Sequence, residues 1–295
     1  TLSLGDSQKF ERSDPSNPYH DLIEATYGTK VVTTSIHINL GIQDLSRLFS
    51  ALRLVRCEAA LLLSLSASSP FLDGNLTGAH SQRWLQFPLT PKEVPLFLSH
   101  THYVHWIEKQ LSIGSMWNER HLWTSVRPNG PSRPHDLNRL ELRICDCITD
   151  CDLLIAITAL LELRLLRLFD NPNQLDPLKA SRLSEEDLAN LSDMNDVAAA
   201  KNSLDATLYS WLDGEPILCR EWICKVLDDV MPLANELDML DLLAPIRLVL
   251  EQGNQAMKWL QRYSLGHSVE EVVQKSIVEM EVKEISPTNA EVIWG

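Results

Sequence analysis

The hydrophobic period changes partway along this chain, and that change fixes its fold class. Two early segments alternate residue by residue, as strands with unlike faces do. In residues 30–41, Val32, Thr34, Ile36, Ile38 and Leu40 point one way, while Val31, Thr33, Ser35, His37 and Asn39 point the other. In residues 139–148, Leu140, Leu142 and Ile144 share one face, and Arg139, Glu141 and Arg143 the other. From Cys151 onward the spacing becomes helical, over 153–169, 184–191, 194–211, 216–227, 235–252 and 269–282. Ser184-Glu185-Glu186-Asp187 and Ser192-Asp193 read as caps. The expectation is an α+β protein of one domain, with a sheet part over 1–152 and a helical part over 153–295. Residues 42–65 lack Gly and Pro and read as a mostly buried helix, with Asp44 suited to its N-terminal dipole. The stretch 66–95 is irregular, rich in Pro and Gly, and 96–121 looks helical in part. Residues 123–127 read as a short strand that Pro128 stops. Residues 5–20 carry turn-forming Asp, Ser, Asn and Pro and read as a loop.

Charge is unevenly spread. Residues 1–150 hold 14 basic and 15 acidic side chains, and the remainder 12 and 25, for a formal net charge of −14. An acidic chain lacks the electrostatic footprint of a nucleic-acid binder, and the near-neutral half is the better place to receive an anion. The longest apolar stretch, 153–169, contains Glu162, Arg164 and Arg167, so no membrane span is expected. Six cysteines are too few for a disulfide scaffold, and a reducing cytoplasm is the expectation. Thr1 is not an initiator Met, and the opening reads as part of something longer.

Four clusters carry candidate chemistry. His37, Asn39, Glu141 and Arg143 sit on polar strand faces, which suit a metal and phosphate floor or a solvated ion pair. The serines Ser66, Ser68 and Ser69, followed by Gly74 and Gly78, would bring amides toward an anion or would simply end a helix. His100, His102 and His105 invite a zinc reading, but the glutamate of the H-E-x-x-H pattern is absent. Cys145, Cys147 and Cys151 are spaced for neither zinc nor a redox pair and read more simply as small hydrophobes.

Taken in order, these pieces become specific. Residues 34–41 are followed by Leu65-Ser66-Ala67-Ser68-Ser69-Pro70-Phe71, with Gly74, Thr77, Gly78, Ser81 and Arg83. Next come Trp123 to Arg127-Pro128, then Leu140-Glu141-Leu142-Arg143-Ile144-Cys145-Asp146. The series resembles the glutamate–cysteine ligase family of bacterial and plant type, most of all its cyanobacterial branch and carboxylate–amine ligase relatives. The resemblance spans about residues 30–270. It implies a fold like the catalytic domain of glutamine synthetase, a curved and mainly antiparallel sheet backed by helices. It also implies a reaction: ATP phosphorylates the side-chain carboxylate of glutamate, and the amine of cysteine attacks the acyl phosphate. Divalent ions, Mg²⁺ or Mn²⁺, offset the charge, so catalysis is mainly electrostatics and positioning.

By that resemblance His37 and Glu141 match metal-holding positions. Arg127 and Arg143 face phosphate or substrate carboxylate, Arg83 looks like a glutamate-carboxylate clamp, and Ser68 and Asn39 line the substrate. Lys201 stands where relatives often show Arg. The family's opening strand of closely spaced metal-binding glutamates has no counterpart here, since Glu11 and Glu24 do not match it. The expectation on that ground is little or no activity for this chain alone. A sister ligase using another amine and a non-catalytic binding protein of the same fold stay open as alternatives.

Overall fold

The computed structural model describes residues 3–5, 16, 18–28 and 33–285 of the chain. Glu11 and the start of the first expected strand, residues 30–32, lie outside the described residues.

After a helix α1 (Pro18–Tyr27), the chain enters β1 (Ile38–Gly41) and then the long α2 (Leu45–Ser66). Asp44 caps α2 by accepting from the Arg47 amide at 2.7 Å, the stabilising position for a short carboxylate at a helix start. From Ala51 to Ser66 every residue of α2 is buried, as the absence of a polar stripe foretold. Its charged members are paired across the core. Arg53 holds Asp176 at 2.6 Å, Arg56 contacts Asp193 and Asp196, and Glu58 accepts from Arg164 at 2.7 Å.

A small hairpin of β2 (Phe71–Leu72) and β3 (Asn75–Leu76), a single turn α3 (Gln82–Leu85) and α4 (His100–Ser112) follow, then β4 (Val126–Asn129) and β5 (Arg139–Leu142). The main sheet is antiparallel, in the order β1-β5-β4. Leu140, Leu142 and Ile144 turn inward toward the core beneath the sheet, where α2 packs. Pro128 does not stop β4 as expected but lies inside it, opposite Leu140. Among the described residues β4 has a neighbour on one side only, so a residue without an amide proton costs no ladder bond there.

The first strand is shorter than its alternation implied. Between the pairs Ile38–Leu142 and Ser35–Asp146, three steps on one strand face four on the other. That extra residue is a bulge beside Arg143, and bulges re-aim side chains.

The helical part contains α5 (Cys151–Asp170), the short turns α6 (Pro172–Leu175) and α7 (Pro177–Ala180), and α8 (Glu185–Asn202). A hairpin of β6 (Thr207–Tyr209) and β7 (Pro216–Leu218) follows, then α9 (Cys219–Glu236), α10 (Ala244–Gln252), α11 (Gln255–Ser264) and α12 (Val269–Ile285). Ser184 caps α8 as expected, accepting from the Asp187 amide. Ser192 and Asp193 do not cap anything. The Ser192 hydroxyl donates back to Leu188 at 2.7 Å and α8 runs on through it to Asn202. The expected helix 194–211 thus ends early, and its tail becomes β6. Asn195 sets that strand by exchanging two 2.8 Å bonds with the Tyr209 backbone. Residues 216–218 are likewise strand rather than helix, and 235–252 breaks before α10.

Candidate active site

Three strands contribute one cross-strand row: Asn39, Glu141 and Arg127 lie side by side in register. Glu141 is 5% exposed and is the hub of this face. Its Oε2 accepts from Arg127 Nε at 2.8 Å and Asn129 Nδ2 at 2.9 Å, and its Oε1 lies 3.2 Å from His37 Nδ1. Burial alone would raise its pKa. The hydrogen bonds from His37 and Arg127, with the charges of Arg127 and Arg143, outweigh burial and hold the carboxyl well below the usual range. His37 has its other ring nitrogen 3.1 Å from the Ser35 hydroxyl. Asn39 is exposed and accepts from Arg139 Nε at 3.3 Å.

Arg143 differs from its neighbours. Its side chain is buried, yet among the described residues Nε and Nη1 have no partner. Burial, then the like charge of Arg127, push its guanidinium down to about 10 despite the pull of Glu141. A buried cation with unused donors is costly without an anion. The face therefore presents cationic donors around a single carboxylate, an arrangement that fits a phosphate or carboxylate group.

The structure does not bring Ser68 and Arg83 to this row. They belong to a second network beyond the bulge, centred on Asp146, which is 1% exposed. Asp146 Oδ2 accepts from the Ser68 amide at 3.0 Å and the Ser69 hydroxyl at 2.7 Å. Its Oδ1 accepts from the Ser81 hydroxyl at 2.8 Å and Arg83 Nε at 2.5 Å. Arg83 also donates to the Ile144 carbonyl and is 1% exposed. Asp146 meets its charge from inside, while its buried Nη1 has no partner among the described residues. The Ser68 hydroxyl is likewise used, on the Cys147 carbonyl at 2.9 Å. Sequence reading singled out Ser69 and Ser81 without seeing that they converge on one aspartate. The acidic residue three places after Arg143 was the available signal.

The metal readings fare differently. Among the described residues no group of three or more His, Cys, Asp or Glu gathers to hold an ion. His37 and Glu141 supply one imidazole and one carboxylate whose oxygens already serve Arg127, Asn129 and His37. Magnesium demands a near-octahedral oxygen shell, so this pair alone does not fit a protein-held Mg²⁺ or Mn²⁺. The histidines of α4 disperse: His100 bonds the Pro134 carbonyl at 2.8 Å, His102 accepts from the Leu98 amide at 3.2 Å, and His105 is exposed. All six cysteines are free thiols, with Cys145 buried and Cys147 and Cys151 exposed.

The model of glutamate–cysteine ligase family 2 matches residues 1–281. The chain belongs to that family. Among curated members of this ligase family, a protein of Gloeobacter violaceus with the provisional name glutamate–cysteine ligase 2 is 28% identical over 243 residues. That alignment covers 81% of this chain and 62% of the relative. A similarly named protein of Solibacter usitatus is 26% identical, over 85% of this chain and 63% of the relative. The chain thus spans somewhat under two thirds of the length of these relatives. A solved structure of the glutamate–cysteine ligase of Francisella tularensis, in complex with AMP, superposes with a TM-score of 0.64 at 14% identity. It covers 90% of this chain and 67% of that one, a likeness of fold. Among the described residues no helix is long and apolar enough to cross a membrane.

Proposed function

We propose that the protein supplies the substrate floor of an ATP-dependent ligase that joins the side-chain carboxylate of glutamate to the amine of cysteine. The γ-phosphoryl group of ATP passes to that carboxylate, giving an acyl phosphate and ADP. The cysteine nitrogen then attacks the acyl carbon, phosphate leaves and the amine gives up a proton. The products are γ-glutamylcysteine, ADP and phosphate, the opening step of glutathione synthesis, carried out in the cytoplasm. The observation that carries this reading is Arg143, buried on the sheet face with two unpartnered guanidinium nitrogens beside the Glu141–Arg127 pair.

In this reading Arg143 and Arg127 grip phosphate and carboxylate oxygens as charge shifts between them. Glu141 fixes the orientation of Arg127, and Asn39 lines the substrate from the neighbouring strand. Ser68 and Arg83 act through the Asp146 network, as scaffold under that floor. The glutamine-synthetase-like curvature and a single catalytic unit over 1–295 belong to the same proposal, supported by family membership. No step is assigned to a metal, because the described donors do not form its site.

The test is phosphate release from ATP that depends on both glutamate and an amine, run with cysteine and a panel of other amines. Release with cysteine above all others is expected, and a rate comparable with that of a full-length ligase counts against the expectation of little activity. Preference for another amine makes the protein a sister carboxylate–amine ligase. A folded protein that neither releases phosphate nor binds ATP in titration calorimetry is a non-catalytic member of the fold, and overturns the proposal.

A further inference from the structure

A second arginine, half-buried where Arg143 is buried, also carries an idle guanidinium nitrogen, and nothing in the alternation of the strands pointed to it. Arg133 lies in the nine-residue loop 130–138 between β4 and β5. The loop is fixed at several points. Asn129 pairs with Arg139 at its base, Ser132 bridges Asp136, and the Pro134 carbonyl meets His100 Nε2 on α4. Gly130 packs so closely on the far side of the loop that a Cβ there would come within 2.1 Å of the Asp136 carbonyl oxygen. Asn129 ties the loop to the site, since its Nδ2 donates to Glu141 while its Oδ1 accepts from the Gly130 amide. Arg133 is thus held in place rather than free to seek a partner.

It has none there. Its Nη1 is buried and unpartnered, and among the described residues the side chain makes no hydrogen bond or ion pair. The nearby Tyr103 hydroxyl on α4 is also buried, without a partner among the described residues. Burial and the charge of Arg127 both press on Arg133, while Tyr103, Glu141 and, more weakly, Glu119 pull the other way. Arg127, Arg133 and Arg143 together set three guanidinium charges against the carboxylate of Glu141 and the weaker pull of Glu119, which leaves up to two positive charges uncompensated. A monocarboxylate would neutralise only one of them. A phosphate group carries both the charge and the acceptor oxygens that the idle donors lack.

Building on the ligase reading above, we infer that Arg133 is a phosphate-binding residue: the β4–β5 loop presents it beside Arg127 and Arg143 as an additional grip on the polyphosphate of the nucleotide. Its fixed loop makes it a preorganised donor rather than a structural ion pair. The two roles predict opposite signs for stability. A structural arginine destabilises the protein when removed. An unpaired cation among like charges leaves the ligand-free protein as stable or more stable when removed, and only binding suffers.

The experiment compares the unsubstituted protein, Arg133→Met and Arg133→Lys, by thermal unfolding without ligand and by calorimetric titration with ATP plus magnesium and with inorganic triphosphate. Expected for Arg133→Met is an unfolding temperature equal to or above that of the unsubstituted protein, with both phosphate ligands bound roughly 10- to 100-fold more weakly. Arg133→Lys keeps the charge without the planar fork and falls between. Unchanged affinity in Arg133→Met overturns this inference while leaving the ligase reading intact. A lowered unfolding temperature in the ligand-free variant also overturns it, because it assigns Arg133 a structural partner. Absence of binding by the unsubstituted protein overturns both.

Discussion

Replacing Asp146 with Asn tests the scaffold beneath the site. The carboxylate is 1% exposed and accepts four hydrogen bonds, from the Ser68 amide, the Ser69 and Ser81 hydroxyls and Arg83 Nε. An amide keeps one acceptor oxygen and turns a donor toward groups that are themselves donors. It also leaves the Arg83 guanidinium, equally buried, without its counter-ion. Breaking one side of a buried pair costs about 3–5 kcal/mol. At roughly 2–4 °C per kcal/mol, the unfolding temperature of Asp146→Asn drops on the order of 6–20 °C. Adding Arg83→Met to that variant removes the orphaned charge, and the double variant recovers about 2 kcal/mol or more relative to the sum of the singles. The recovery is incomplete because the single amide oxygen cannot serve all three serine donors. Thermal and urea unfolding of the four proteins close the cycle. Two results refute the reasoning: Asp146→Asn within the error of the parent, or strict additivity in the double variant. The cycle also separates the two readings of Arg83. If Arg83 clamps a substrate carboxylate, the stability-restored double variant still fails to bind glutamate. If it is scaffold, binding returns with stability.

Further outcomes follow from the same geometry. The Glu141 carboxyl is held below its ordinary range, so its contribution to stability is full above the unfolded value of about 4.3 and fades as pH falls below that toward the folded value. Urea unfolding of Glu141→Gln is therefore expected to lag the parent at pH 7, with the gap narrowing below about pH 4; a gap independent of pH counts against the assignment. Burial pushes the Cys57 and Cys219 thiols up to about 12 and Cys145 up to about 11, whereas Cys147, Cys151 and Cys224 are exposed. A thiol reagent on the native protein should label those three quickly and the buried three only on unfolding. Fast labelling of all six would show that the core described here opens readily.

Much of the fold is legible in local pattern. The alternation of 139–148 places Leu140, Leu142 and Ile144 in the core, because a pleated strand has no other way to arrange an every-second-residue code. The buried character of α2 and the caps Asp44 and Ser184 are equally local matters. The errors came where a local signal had two uses. Ser192 reads as a cap but serves as well inside a helix by bonding back one turn, and only the pairing of Asp193 with Arg56 decides that the helix continues. Helix α11 lies outside the expected helices, although Gly253, at φ +86°, ends α10 and Asn254 caps the next helix through Met257. Those residues are a stop and a start in sequence, and the pattern was readable.

The sequence by itself determined that a sheet precedes a helical part and which strand faces are polar. It also set the ordered motifs by which the chain resembles its ligase family. These depend on neighbours within a few residues, where side-chain geometry is periodic. Only the tertiary structure decided what each polar face is for. Residues from separate segments had to meet before Glu141 could be seen paired to Arg127 and His37, and Asp146 paired to Arg83. The same folding left Arg143 and Arg133 with buried nitrogens and no partner. Charge pairing acts across space rather than along the chain, so the idle nitrogens of Arg143 and Arg133 become visible only in the folded protein.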